Sequence, residues 1–140
     1  MYRERMEKLK EWKVSKNRKP LIIRGARQVG KTWLMKEFGK LYYEKFAYIN
    51  FDNNSRMDIL FNEEFDLDRI IQGLKIESGI NIEPENTLII FDEIQETPNA
   101  LKALKYFYEN ANEYHIVAAG SLLGAVSYTH LRAHETKANL

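Results

Sequence analysis

Apolar positions along this chain fall into two rhythms, and the alternation between them predicts the fold. Tyr2, Met6, Leu9 and Trp12 recur three to four residues apart, which predicts an amphipathic helix followed by a basic connector from Ser15 to Lys19. Pro20-Leu21-Ile22-Ile23-Arg24 is a short apolar run of the kind that forms a buried strand. Leu34, Met35, Phe38, Leu41 and Tyr42 return to helical spacing. Phe46 to Phe51 reads as a second strand, broken by Asp52-Asn53-Asn54-Ser55. Leu67, Ile70, Ile71 and Leu74 mark a helix that Gly79 should stop. Thr87 to Phe91 is a third strand. Thr97-Pro98 has the form of an N-cap with proline at the first helical position. Leu101, Leu104, Phe107, Tyr108 and Ala111 give the helix after it an apolar face, and Tyr114 to Ala119 is a fourth strand. Tyr106-Phe107-Tyr108 could stack on bases, but at this spacing it is expected in the core, and His115, at the start of its strand, is expected to be structural.

The turn after the first strand carries chemistry. Gly25-Ala26-Arg27-Gln28-Val29-Gly30-Lys31-Thr32 fits G-x-x-x-x-G-K-[ST]. The glycines let the backbone curl so that successive N–H groups face a triphosphate. Lys31 can reach the β/γ-phosphates, and the Thr32 hydroxyl can ligate Mg²⁺. A helix opening at Lys31 adds its positive end. Residues Gly25 to Trp33 are therefore the candidate nucleotide contacts. A glycine turn without a ligand would give no reason for Lys31 and Thr32.

The third strand ends in Asp92-Glu93, a Walker B pattern. Asp92 would hold Mg²⁺ through water where the metal meets Thr32, and Glu93 would polarise an attacking water as general base. The alternative is that both carboxylates cap a helix or face solvent. The pair also separates P-loop classes. GTPases need D-x-x-G and N-K-x-D, which are absent, and nothing after Glu93 reads as the arginine-rich lid of nucleotide kinases. An acidic residue beside the Mg²⁺ ligand marks the additional-strand P-loop ATPases. In those enzymes a polar group ends the strand after Walker B, orienting water or touching the γ-phosphate. Ser121 is the candidate for that role, with a turn or helix cap as its other reading.

Composition narrows this further. The chain has 140 residues, 44% of them hydrophobic, enough for one domain with a core. The net charge of +1, without a long basic run, gives no indication of nucleic acid. With no cysteine, disulfides, thiolate metal sites and cysteine nucleophiles are excluded. No signal segment and no run of about 20 apolar residues is present, so the expectation is a soluble, cytoplasmic protein.

Three segments carry a family resemblance: Arg24-Gly25-Ala26-Arg27-Gln28-Val29-Gly30-Lys31-Thr32, Phe91-Asp92-Glu93-Ile94-Gln95, and Ala118-Ala119-Gly120-Ser121-Leu122-Leu123-Gly124. With Pro98 to Phe107 they make residues 1–125 resemble the AAA_14 group of bacterial and archaeal AAA+ ATPases, which usually carry a C-terminal DUF4143 domain. The resemblance implies an ATP-binding core and supplies no substrate. Val126-Ser127-Tyr128-Thr129-His130-Leu131-Arg132-Ala133-His134-Glu135-Thr136 instead resembles a translated sequencing adaptor, so 126–140 is expected to be a non-native tail. His130 and His134 lie four apart, but a zinc site is not expected there. On this reading a fifth strand, the sensor 2 region, any arginine finger and a surface for self-association belong to a part of the protein beyond this chain.

The resulting expectation is an α/β three-layer P-loop domain with a parallel sheet of order 5-1-4-3-2, lacking strand 5. ATP and Mg²⁺ should bind at the carboxyl ends of the strands. In the intact protein a Glu93-polarised water would hydrolyse ATP, with Lys31 stabilising phosphate charge and Ser121 assisting. The alternatives are a nucleotide-gated interaction switch that scarcely hydrolyses, and a small P-loop kinase.

Overall fold

The structure, a computed structural model, describes residues 2–24 and 29–120. Helix α1 (Tyr2–Val14) leads to strand β1 (Leu21–Arg24), helix α2 (Val29–Tyr42) and strand β2 (Lys45–Asn50). Helices α3 (Ser55–Asn62) and α4 (Leu67–Ser78) precede strand β3 (Thr87–Asp92), a 3₁₀ turn (Ile94–Glu96), helix α5 (Pro98–Asn110) and strand β4 (His115–Gly120). The strands form one parallel sheet in the order β1-β4-β3-β2. This agrees with the 1-4-3-2 part of the expected order. Among the described residues β1 pairs with β4 alone. Residues 25–28, Ser121 and the segment from 126, expected as a tail, lie outside the described residues.

The unbroken apolar strands are explained by cover on both faces. Leu21, Ile23, Leu88, Ile90, Val117 and Ala119 point to one side, where Met6, Leu9 and Trp12 of α1 and Leu34, Met35 and Phe38 of α2 complete a core. Ile22, Ala47, Ile49, Ile89, Phe91, Ile116 and Ala118 point to the other, under α3, α4 and α5. The period-2 alternation of a strand sends neighbours to opposite cores. Phe51, Phe61 and Phe91 form a cluster on that second side, with Phe91 edge-on to both partners at 5.1 and 5.9 Å. At Gly39 of α2 an added Cβ would lie 2.7 Å from the Phe46 Cβ, so the absent side chain lets α2 approach β2 closely.

Several expectations shift. Helix α2 begins at Val29, two residues before Lys31. Leu41 is exposed, because it falls beyond the α2 stripe that faces the sheet. Only Phe107 of the aromatic trio is core. Neighbouring helical residues point about 100° apart, so Tyr106 stacks on Phe65 at 4.8 Å and Tyr108 lies under Lys19. Helix α3 was not expected at all. Asn53-Asn54 does break the strand, but Asn54 then caps a new helix, its side chain accepting from the Met57 N–H at 3.2 Å, and Met57 and Phe61 are buried one turn apart. Thr97 precedes α5 as expected but makes no side-chain cap. Its hydroxyl donates instead to Asp58 Oδ1 of α3 at 2.7 Å. Gly79 does stop α4, at φ 73° in the left-handed region.

His115 is structural, as expected. It is 5% exposed, its Nδ1 lies 2.6 Å from the Tyr43 hydroxyl, and Trp12 packs edge-on at 5.9 Å. Burial, then the positive charges of Arg18 and Lys13, push its pKa down to about 4.

Candidate functional site

Parallel pairing aligns the carboxyl ends of all four strands along one rim. Arg24 stands opposite Gly120, Ala119 opposite Asp92, and Asp92 opposite Asn50. Helix α2 starts at the same rim, a few residues after β1, so its first turn faces the end of β3. Lys31 and Thr32 belong to that turn.

The first turn of α2 and the end of β3 meet through one carboxylate. Thr32 Oγ1 donates to Asp92 Oδ2 at 2.6 Å. The same oxygen accepts from the Tyr48 phenol of β2 at 2.7 Å, and Asp92 Oδ1 accepts from the Glu93 N–H at 3.0 Å. Three donors, from α2, from β2 and from the residue after β3, therefore fix a carboxylate that is only 5% exposed. Lys31 is 6% exposed. The Tyr48 pKa is pushed up by burial and then by Asp92, so the phenol keeps its proton and acts as the donor.

Glu93 turns the chain sharply. Its φ of 55° and ψ of 45° lie in the left-handed region, which costs a non-glycine residue roughly 1–2 kcal/mol. Backbone strain of this kind is held where neighbouring structure enforces it, often at functional sites. The Glu93 carboxylate accepts from Gln95 Nε2 at 2.7 Å. Gln95 Oε1 is buried without a hydrogen-bond partner among the described residues. Trp33, the last of the expected nucleotide contacts, is about half exposed.

The structure brings Thr32 and Asp92 into contact, with Lys31 and Glu93 as their chain neighbours. Gly25, Ala26, Arg27, Gln28 and Ser121 lie outside the described residues, as does the side chain of Val29. Sequence reasoning missed Tyr48 and the contact of Gln95 with Glu93. Tyr48 sits in an apolar strand pattern that marks it as a packing residue, although its place two residues before the end of β2 is a usable signal.

A hydroxyl beside a carboxylate are hard oxygen donors of the kind that suit Mg²⁺, which binds through one or two protein groups and otherwise through water and phosphate. Among the described residues no group of three or more His, Cys, Asp or Glu converges, so an all-protein cage for another metal is not formed there.

A parallel sheet with its strand ends facing a helix that carries Gly-Lys-Thr, together with a strand-terminal Asp-Glu, defines a P-loop nucleotide-binding domain. The AAA_14 family, described as an AAA domain, matches residues 17–136, and the chain belongs to that family. It is therefore an ATPase-type nucleotide-binding domain of the AAA+ class. The fold is also similar to a solved structure of PCH-2 from C. elegans, with a TM-score of 0.56 and 14% sequence identity over 93% of this chain. This chain spans 40% of the length of that one. No curated protein matches the sequence. Among the described residues, no helix is long and apolar enough to cross a membrane.

Proposed function

We propose that the domain binds Mg·ATP at the strand rim, through residues Gly25 to Trp33 and Asp92, and that Glu93 serves hydrolysis in the intact protein. The observation that carries this reading is the Thr32–Asp92 hydrogen bond beside a buried Lys31, with Glu93 one residue on. Thr32 and Asp92 would hold Mg²⁺, which when bound neutralises charge on the β- and γ-phosphates. Lys31 brings a point charge to those phosphates. Helix α2 aims its positive end at the same place. Glu93 would take a proton from an attacking water as general base. Ser121, the residue that follows β4 in the sequence, completes the candidate catalytic set.

A switch that binds nucleotide without turning it over remains the second reading. It is favoured by one observation: the Glu93 carboxylate is already engaged by Gln95. The discriminating experiment is Glu93→Gln, which keeps size and removes basicity. ATP affinity should stay within about twofold, while single-turnover release of phosphate should fall by at least about 100-fold, the lower end of general-base contributions. Equal phosphate release from both proteins would remove Glu93 from the chemistry. A phosphorylated acceptor instead of free phosphate would identify a kinase.

A further inference from the structure

We infer that Tyr48 is a positioning residue for the metal-binding carboxylate, a role that rests on the Mg·ATP reading above. Asp92 Oδ2 accepts two hydroxyl donors, Thr32 from α2 at 2.6 Å and Tyr48 from β2 at 2.7 Å. Thr32 would itself contact the cation, so its hydroxyl cannot be relied on to hold the carboxylate still. Tyr48 has no such second duty. Its strand is paired to β3 throughout, with Tyr48 in register with Ile90 and Asn50 with Asp92. The phenol therefore reaches along the sheet by two residues, from a rigid base, to the carboxylate at the end of the next strand.

The ring is held as firmly as its hydroxyl. Lys36 Nζ lies over the ring face, 4.1 Å from its centroid. Lys36 follows Thr32 by four residues, so both stand on one side of α2, one turn apart. Helix α2 thus contacts Asp92 directly through Thr32 and indirectly through Lys36 and Tyr48. The Glu93 N–H holds the other carboxylate oxygen at 3.0 Å. Asp92 is held on both oxygens before any cation arrives. Groups that orient a metal ligand in this way typically change metal affinity 10- to 100-fold when removed.

The test is Tyr48→Phe in the full chain, which keeps the ring, its packing and the Lys36 contact and removes only the hydroxyl. ATP affinity is measured by calorimetry in EDTA and across a Mg²⁺ titration. The Mg²⁺ concentration at half-maximal enhancement of ATP affinity should rise about tenfold in the variant. Affinity in EDTA should stay within about twofold of the unaltered chain, and thermal melting should be similar. An unchanged Mg²⁺ midpoint overturns the role of Tyr48. So does an equal loss of affinity with and without Mg²⁺, because that is what a mere packing residue would give. Failure of the underlying reading is seen separately, in the unaltered chain, as ATP binding that is absent or indifferent to Mg²⁺.

Discussion

Acid should weaken this domain through one histidine before it reaches the carboxylates. His115 is buried at the base of β4, and its pKa is about 4 against an ordinary 6.5. The unfolded chain takes up this proton near pH 6.5, whereas the folded chain resists it down to about pH 4. The stability contribution is therefore complete above pH 6.5 and is lost as pH falls through that window. At most it amounts to roughly 3 kcal/mol. Burial is the first cause of the shift, and the charges of Arg18 and Lys13 add to it. Glu77 and Glu83 are held below the ordinary carboxylate value of 4.5, so their contributions fade only at lower pH. Urea unfolding at pH 7.5, 6.5, 5.5 and 4.5 should show a midpoint falling by about 1–2 M, given a slope of about 1–3 kcal/mol per M. His115→Phe should flatten most of that dependence. A His115 resonance titrating near 6.5 by NMR, or the same acid sensitivity in His115→Phe, would show that the buried imidazole is not the source of the pH dependence.

Two further variants probe the packing that supports the site. Phe91→Ala empties the centre of the Phe51–Phe61–Phe91 cluster directly before Asp92, and should cost about 3–5 kcal/mol in urea unfolding; a loss under about 1 kcal/mol would mean the cluster does not hold the strand end. Thr97→Val removes the hydroxyl before α5 that donates to Asp58 of α3, with an expected loss of about 1–3 kcal/mol in the same assay, and no change would show that solvent replaces the bond fully.

Much of this architecture was legible in the sequence because its signals are local. Runs such as Leu21 to Arg24 and Thr87 to Phe91 are apolar at every step, as a doubly covered parallel strand must be. Gly-Lys-Thr and Asp-Glu are contiguous motifs, and the strand rim brings them together without further information. What escaped reading depends on contacts between distant residues. Asp52 to Ser55 looks like a break, and only the burial of Met57 and Phe61 shows that a helix follows. Thr97 looks like a cap until Asp58, 39 residues earlier, offers a charged acceptor. Tyr48 reads as one more apolar strand residue, because its partner Asp92 lies 44 residues away. A tyrosine's body obeys the hydrophobic pattern while its hydroxyl follows the site.

Whether Lys31, Thr32 and Asp92 form a Mg·ATP site is decided by calorimetric titration of the chain with Mg·ATP, alongside Lys31→Ala. Lys31 is buried at the first turn of α2, where its charge can meet phosphate in a setting of low exposure. Loss of a charge-assisted contact of this kind is worth about 1.5–3 kcal/mol, or roughly ten- to 150-fold in affinity. Saturable binding by the unaltered chain and a drop of that size in Lys31→Ala are expected. Equal affinity in the two proteins, with both correctly folded, would contradict such a site.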